Sequence, residues 1–292
     1  VTDWGGSDVT ERGIVWGTAS SPTIDTNKIA SGSDLGTFQG YIDGLTPETK
    51  YYVRAYATNS TGTAYGNEIE VTTRATDPDV TKVIAQDGTG DYSTVQEAFD
   101  AVPSDYTGRW MINIKPGTYN ERPSLARGKV NVYLIGEDAL TTIITHNTSA
   151  GTEKPGGGTW GTSGCQTMEI LADDFTAVNI TIENTFVNSK EQAAINSGTQ
   201  GVALKTQGDR QSFYDCRITG YQDTYLGNSI GRAYFKNCYI EGNVDFIFGR
   251  QTVVFDECTT YVNRNGSVLT APSTEKTTKF GMVFLDCDLT AP

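Results

Sequence analysis

Phe213-Tyr-Asp-Cys216-Arg-Ile218-Thr-Gly220-Tyr-Gln-Asp223 is followed, 22 residues later, by Phe235-Lys-Asn-Cys238-Tyr-Ile240-Glu-Gly242-Asn-Val-Asp245. Phe, Cys, Ile, Gly and Asp recur at the same offsets. The opening of the repeat returns at Phe255-Asp-Glu-Cys258 and, after a longer insertion, at Phe284-Leu-Asp-Cys287. A repeat of this length belongs to a solenoid, in which each unit buries its apolar face only against its neighbours. The pieces within each repeat are short, β-rich and broken by Gly and Asn, with no helical periodicity. The expected fold is therefore all-β, a right-handed parallel β-helix with one repeat per rung.

Stacking has a chemical consequence. Residues at one offset in consecutive rungs lie about 4.8 Å apart, the spacing of paired strands. Asp223 and Asp245 should then be side by side, with carboxylates within about 6 Å of each other. Two adjacent carboxylates cannot both ionise freely; one is driven towards its protonated form while the other stays charged. That supplies an acid and a nucleophile or base. A plainer reading makes Gly-x-x-Asp a turn signal, with each Asp capping its own backbone. The matched pair, flanked by Gln222 and aromatic residues, favours the chemical reading. By the same stacking, Cys216, Cys238 and Cys258 should form a ladder inside the solenoid. Parallel Cβ vectors suit free thiols better than a disulfide.

Composition narrows the function. The 292 residues leave room for two domains, and 37% hydrophobic content without a long apolar run predicts no membrane span. The net charge of −13 is shared, with 5 basic and 11 acidic residues in 1–79 and 17 and 24 in 80–292. Such a chain repels nucleic acid and strongly anionic polymers, but tolerates a polymer whose carboxylates are esterified. The five Cys are odd in number and contain no CxxC pair, so neither a zinc site nor a full disulfide framework is expected. The one His, His146, follows a strand-like Thr142-Ile-Ile-Thr145 and reads as structural or surface, which argues against a Ser-His-Asp triad or a His-rich metal site. No cofactor or metal is implied. No signal peptide is visible, and Val1-Thr-Asp-Trp-Gly-Gly reads as the middle of a domain, so a piece of a longer chain is expected.

Residues 1–75 read as a small all-β unit. Tyr51, Val53, Ala55 and Ala57 alternate on one face after a Leu45-Thr-Pro47 turn, as in a half-buried sandwich strand. The pattern resembles the second half of a fibronectin type III module, an incomplete β-sandwich serving as a spacer. Residues 76–79 read as a linker and 80–292 as the β-helix. Ser93 to Val102 has helix periodicity, with Val95, Ala98, Phe99 and Val102 on one face and Ser93/Gln96 as a capping box. This helix is expected to cover the open hydrophobic end of the solenoid. Glu153-Lys-Pro-Gly-Gly-Gly-Thr159 is an insertion that either walls a groove or is tolerated surface.

Three ordered blocks, Gln200-Gly-Val-Ala-Leu204, Gly220-Tyr-Gln-Asp-Thr224 and Gly242-Asn-Val-Asp-Phe-Ile-Phe-Gly249, closely resemble the signature blocks of pectin methylesterases. The similarity runs from about Val80 to Pro292. It implies that methyl-esterified pectin (homogalacturonan) is the substrate, that the protein acts as a monomer, and that it is secreted or located at the cell surface or in the periplasm. It assigns Asp245 as nucleophile, Asp223 as acid and then base, and Gln200 and Gln222 as donors to the oxyanion. Thr162, Gln200, Phe246 and Tyr225 would touch substrate, although Phe246 and Phe248 read equally well as core residues, and Asp223-Thr-Tyr-Leu226 swaps the family's usual Leu-Tyr order. The family's essential Arg, in a Gly-Arg-Pro-Trp context, would lie beyond Pro292, so the 292-residue chain is expected to be a weak esterase by itself. Two alternatives stay open. A β-helix glycosidase acting on polygalacturonate could use two carboxylates at similar spacing, though it needs no paired Gln donors. A non-catalytic carbohydrate-binding β-helix would explain the absent Arg.

Overall fold

The computed structural model describes residues 1–3, 5–40, 42–187 and 198–291; Trp4, Tyr41, residues 188–197 and Pro292 lie outside them. The chain forms two compact units, Val1–Thr76 and Asp77–Pro292.

In the first unit, Glu11–Gly17 pairs antiparallel with Asn27–Ala30 on one side and Lys50–Asn59 on the other. The far edge of Lys50–Asn59 carries Gly62–Tyr65 and Ile69–Thr72. The described residues form this one sheet, and a facing second sheet is not among them, so the expected sandwich is here a single layer. Residues 31–49, rich in Gly, Ser, Asp and Thr, lack the alternation that would build it. The expected alternation holds only in part: Tyr51 is buried as expected, but Ala55 is exposed, and Tyr56 on the opposite face is buried. Tyr56 lies opposite Gly13, where a Cβ would come within 2.9 Å of its ring. The missing side chain makes room for the ring, and Glu11 Oε1 accepts its hydroxyl at 2.7 Å.

The second unit is a parallel β-helix of three sheets with eight, seven and six strands. Consecutive rungs pair strictly in register. In the first sheet Phe213 faces Phe235, then Phe255, then Phe284. In the second, Ile182, Ile218, Ile240 and Thr260 form one row. In the third, Leu204, Tyr225, Ile247 and Thr270 do the same. The Phe rings stack at centroid separations of 4.6, 5.1 and 4.8 Å, close to the strand spacing itself. Between the first and second sheets the chain turns at Asp215, Asn237, Glu257 and Asp286, all left-handed with φ of 53, 53, 50 and 48°. Asp and Asn tolerate this region better than other non-glycine residues. Each is followed by a Cys of the ladder.

The helix α1 (Val95–Ala101) packs Val95, Ala98 and Phe99 into the core that the rungs share. Its cap lies one residue later than the sequence suggested. Thr94 is the N-cap, accepting from Glu97 N, and the Glu97 carboxylate reaches back to the N–H groups of Ser93 and Thr94. Glu97 Oε2 takes both N–H groups, while Gln96 is turned elsewhere: its Nε2 donates to Asp100 at 2.8 Å and its Oε1 accepts from Ser124 N at 2.8 Å. Among the described residues no helix is long and apolar enough to cross a membrane.

All five cysteines are free. Cys238 N donates to Cys258 Sγ, and Cys258 N to Cys287 Sγ, both at 3.4 Å. Burial raises the pKa of Cys165 and drives that of Cys238 well above the usual thiol value, so these groups stay as inert thiols. Unfolded without reductant, the chain should take up five equivalents of an alkylating reagent by mass spectrometry. In the native state Cys287 should react first, since the other four are at most 2% exposed. A pair that stays blocked in the unfolded chain would show a disulfide where the ladder requires thiols.

Candidate active site

The site forms where the chain bends from the second sheet into the third. Gly220 and Gly242 end the second-sheet segments, and Asp223 and Asp245 follow three residues later, each left-handed at φ 64 and 48°. Gly242 is needed here. A Cβ would lie 2.3 Å from Phe246 Cβ and 2.6 Å from Thr224 Oγ1, so only a bare backbone can cross at this bend. At Gly220 a Cβ would meet Thr224 Oγ1 at 2.9 Å.

The two Asp occupy equivalent places in adjacent rungs. Asp223 N donates to Val244 O at 3.0 Å, and Tyr225 N to Phe246 O at 2.8 Å. Gly201 N donates to Gln222 O at 2.9 Å, which brings the Gln200 rung in as the next layer. Asp223 is 8% exposed. Burial first, and the charge of Asp245 second, push its pKa up to about 7. Among the described residues neither carboxylate has an ion-pair partner or accepts a backbone N–H. Elsewhere in the chain Asp87 and Asp138 do cap their own turns, at 2.9 and 2.6 Å. The turn conformation and the pairing of carboxylates thus coexist at Asp223 and Asp245, but local capping does not occupy them.

An apolar wall borders the third sheet. Trp160 and Phe248 pack against Ala150, Cys165, Val202 and Leu226. Arg122 lies over the Trp160 ring at 4.1 Å, its Nε donates to Gln166 O at 2.9 Å, and its terminal nitrogen donates to Gly164 O. Lys205, nearly buried, donates to Ser163 O at 2.7 Å and pairs with Glu169 at 2.8 Å. These cations fix the segment that carries Thr162, at the start of a 3₁₀ turn, Thr162–Gly164.

Two expected substrate contacts are corrected. Tyr225 is 0% exposed; its hydroxyl meets Thr206 Oγ1 at 2.8 Å and its ring packs edge-on to Phe235. Phe246 is also 0% exposed, tucked beneath Gly242. Neither ring offers a face to a sugar. For Tyr225 strand alternation gives the reason: Tyr225 and Ile247 pair as inward residues, so Leu226 and Phe248 take the outward places, whereas Phe246 precedes that strand and is buried by the bend at Gly242. Phe248 is the aromatic residue on that side, paired with Leu226 one rung earlier.

The Pectinesterase family model matches residues 81–292. The chain belongs to the pectinesterase family. It is 36% identical over 212 residues to Pectinesterase 31 of Arabidopsis thaliana, covering 71% of this chain and 64% of that protein. It is 38% identical over 185 residues to the pectinesterase of Daucus carota, covering 63% of this chain and 53% of that one. The chain thus spans less than two thirds of the length of these relatives. Among solved structures, pectin methylesterase PemA from Erwinia chrysanthemi matches with a TM-score of 0.64 at 34% identity, over 72% of this chain and 65% of that one. A pectin methylesterase in complex with a hexasaccharide matches with a TM-score of 0.64 at 36% identity, over 72% and 65%. These likenesses establish the parallel β-helix of a pectinesterase for the second unit.

Asn184 is a member of the site's framework that no sequence pattern announced. It is 1% exposed, and its Nδ2 donates to Thr148 O and Val202 O at 2.9 and 3.0 Å. Its Oδ1 accepts from Phe186 N at 3.0 Å. It binds together segments distant in sequence, which only the folded chain reveals.

The raised pKa of Asp223 carries a stability signature. In the folded state this carboxyl keeps a proton that the unfolded chain releases near pH 4. Its contribution is therefore fully present below pH 4 and is lost as pH rises through about 7. Asp223→Asn should raise the Tm at pH 8 by on the order of 5 °C, and by nothing at pH 4. Thermal melts at the two pH values check this; a gain equal at both would place the cause outside the titration of Asp223.

Proposed function

We propose that the β-helix unit hydrolyses methyl esters of galacturonate units in pectin, releasing methanol. The observation that carries this reading is the in-register pair, with Asp223 held protonated towards neutrality beside Asp245. Asp245 Oδ attacks the ester carbonyl, and the electron pair moves onto the carbonyl oxygen. The amide NH₂ groups of Gln200 and Gln222 receive that oxyanion. As the tetrahedral intermediate collapses, the bond to methoxide breaks and Asp223 gives it a proton, forming methanol. Asp223, now ionised, takes a proton from water; the hydroxide attacks the acyl–Asp245 anhydride, and both carboxyl groups return to their starting states.

The substrate reading rests on the same likeness, since one structural neighbour carries a hexasaccharide. A methyl-esterified polymer is neutral, which suits a protein of net charge −13. Such a polymer lies outside the cytoplasm, and we place the protein there with it. Residues 1–75, linked through 76–79, we read as a spacer built on one sheet of a fibronectin type III-like module.

Methanol release from methylated pectin, measured beside new reducing ends, tests the reading. Methanol without reducing ends is expected; reducing ends without methanol would assign a glycosidase instead. Asp245→Asn should abolish release, because an amide is no nucleophile at this step. Gln222→Ala should slow it by about 10²–10³, the scale of one lost oxyanion donor. The rate should fall as pH rises through about 7, where Asp223 loses the proton it gives to methoxide. Retained turnover in Asp245→Asn would remove the nucleophile from the scheme.

A further inference from the structure

Thr199 precedes Gln200 in the segment that enters the site, and it is only 8% exposed. Its Oγ1 donates to Gln222 Oε1 at 2.9 Å. A carboxamide has an acceptor at one end and donors at the other. Its two orientations differ little in shape, yet only one suits a developing oxyanion; the other would set oxygen against oxygen. With the Gln222 oxygen engaged by Thr199, its NH₂ end faces away from that hydroxyl. The same short segment holds the Gln222 backbone, because Gly201 N donates to Gln222 O at 2.9 Å. Gln222 is thus held at its backbone carbonyl and at its side-chain oxygen by residues of one neighbouring rung.

That grip is itself anchored. Gly151 N donates to Gly198 O at 2.7 Å and Ala150 N to Gln200 O at 2.8 Å, one on each side of Thr199. Gly198 sits at φ 92°, and a Cβ there would lie 2.6 Å from Gly151 N, so the two backbones are in direct contact. Thr199 therefore projects from a segment held on both sides, which is what a positioning group requires.

We propose that Thr199 is a positioning residue, whose hydroxyl orients the Gln222 carboxamide with its NH₂ end towards the reacting ester. The inference rests on the esterase reading for its rate consequences, but the clamp itself is a property of the protein without substrate. It sets kcat more than KM, because the oriented donor matters most once charge has formed on the carbonyl oxygen.

The test uses the whole chain with two readouts. In the first, Thr199→Val, which keeps the shape and removes the donor, should lower kcat for methanol release about five- to tenfold with KM within about twofold. Thr199→Ser should restore most of the rate. In a Gln222→Ala background Thr199→Val should cost nothing further, since the group it orients is gone. In the second, the Gln222 side-chain NH₂ resonance, assigned by its loss in Gln222→Ala, is followed by NMR relaxation without substrate. Its order parameter should drop in Thr199→Val and hold in Thr199→Ser. Thr199→Ala is the second donor-deletion variant should the valine not fold. An unchanged order parameter, or equal losses from Thr199→Val with and without Gln222, would overturn the proposal. A wild-type chain that released no methanol would sink the esterase reading alone, because the NMR comparison still decides the clamp.

Discussion

Backbone hydrogen bonding between consecutive rungs, in strict register, is the constraint from which the rest of the second unit follows. Each interior strand is paired on both sides by strands one turn away, so offset along the repeat becomes position in space. The core obeys this directly: the Phe213–Phe235–Phe255–Phe284 column repeats at 4.6 to 5.1 Å because the strands do. A one-residue slip in any rung would turn its Phe and Ile outward and its polar partners inward. Register is therefore held by the apolar rows and the backbone ladder together. The thiol column follows the same geometry, and burial raises the pKa of Cys238 within it well above the usual thiol value.

The same constraint builds the chemistry. Two carboxylates would not choose to be neighbours in a half-buried bend; the fold places them there because they share an offset. Their mutual repulsion and the burial of Asp223 then separate their roles, one group retaining its proton towards neutrality. Asp223 and Asp245 both sit at left-handed positions, which cost energy for a residue with a side chain. The surrounding ladder supplies the determination: Gly220 and Gly242 admit the bend, and the rungs above and below fix its depth. Gln222 enters between them, held by its backbone to Gly201 and by its side chain to Thr199.

The walls of the site depend on a different principle. The Thr162–Gly164 turn belongs to an insertion with no repeat partner. Cations hold it instead. Arg122 and Lys205 donate to its carbonyls, and each is itself fixed, Arg122 by stacking on Trp160 and Lys205 by Glu169. Burying Lys205 is tolerable because the carboxylate and the carbonyl together replace its water. Irregular backbone beside a regular solenoid is thereby made as definite as the rungs.

The sequence by itself determined the architecture of the second unit and the pairing of Asp223 with Asp245. Repetition at a fixed offset is a statement about space once the chain is a parallel β-helix, so both were legible from Phe, Cys, Ile, Gly and Asp alone. The resemblance of its signature blocks also singled out Gln200 and Gln222. It misplaced Tyr225 and Phe246, because proximity in sequence says nothing about which way a ring points; the inward Tyr225 and Ile247 row buries Tyr225 and leaves Phe248 outside, and the bend at Gly242 buries Phe246. It misread the helix cap by one residue, because Ser93/Gln96 and Thr94/Glu97 overlap and only the folded turn shows which side chain reaches back. It drew an incomplete sandwich, and the described residues of the first unit form one sheet, since strand alternation reports one face and not what covers it. Asn184 and Thr199 carry no local signature at all. Their hydrogen bonds join segments about twenty or more residues apart, and only tertiary structure brings those partners within reach.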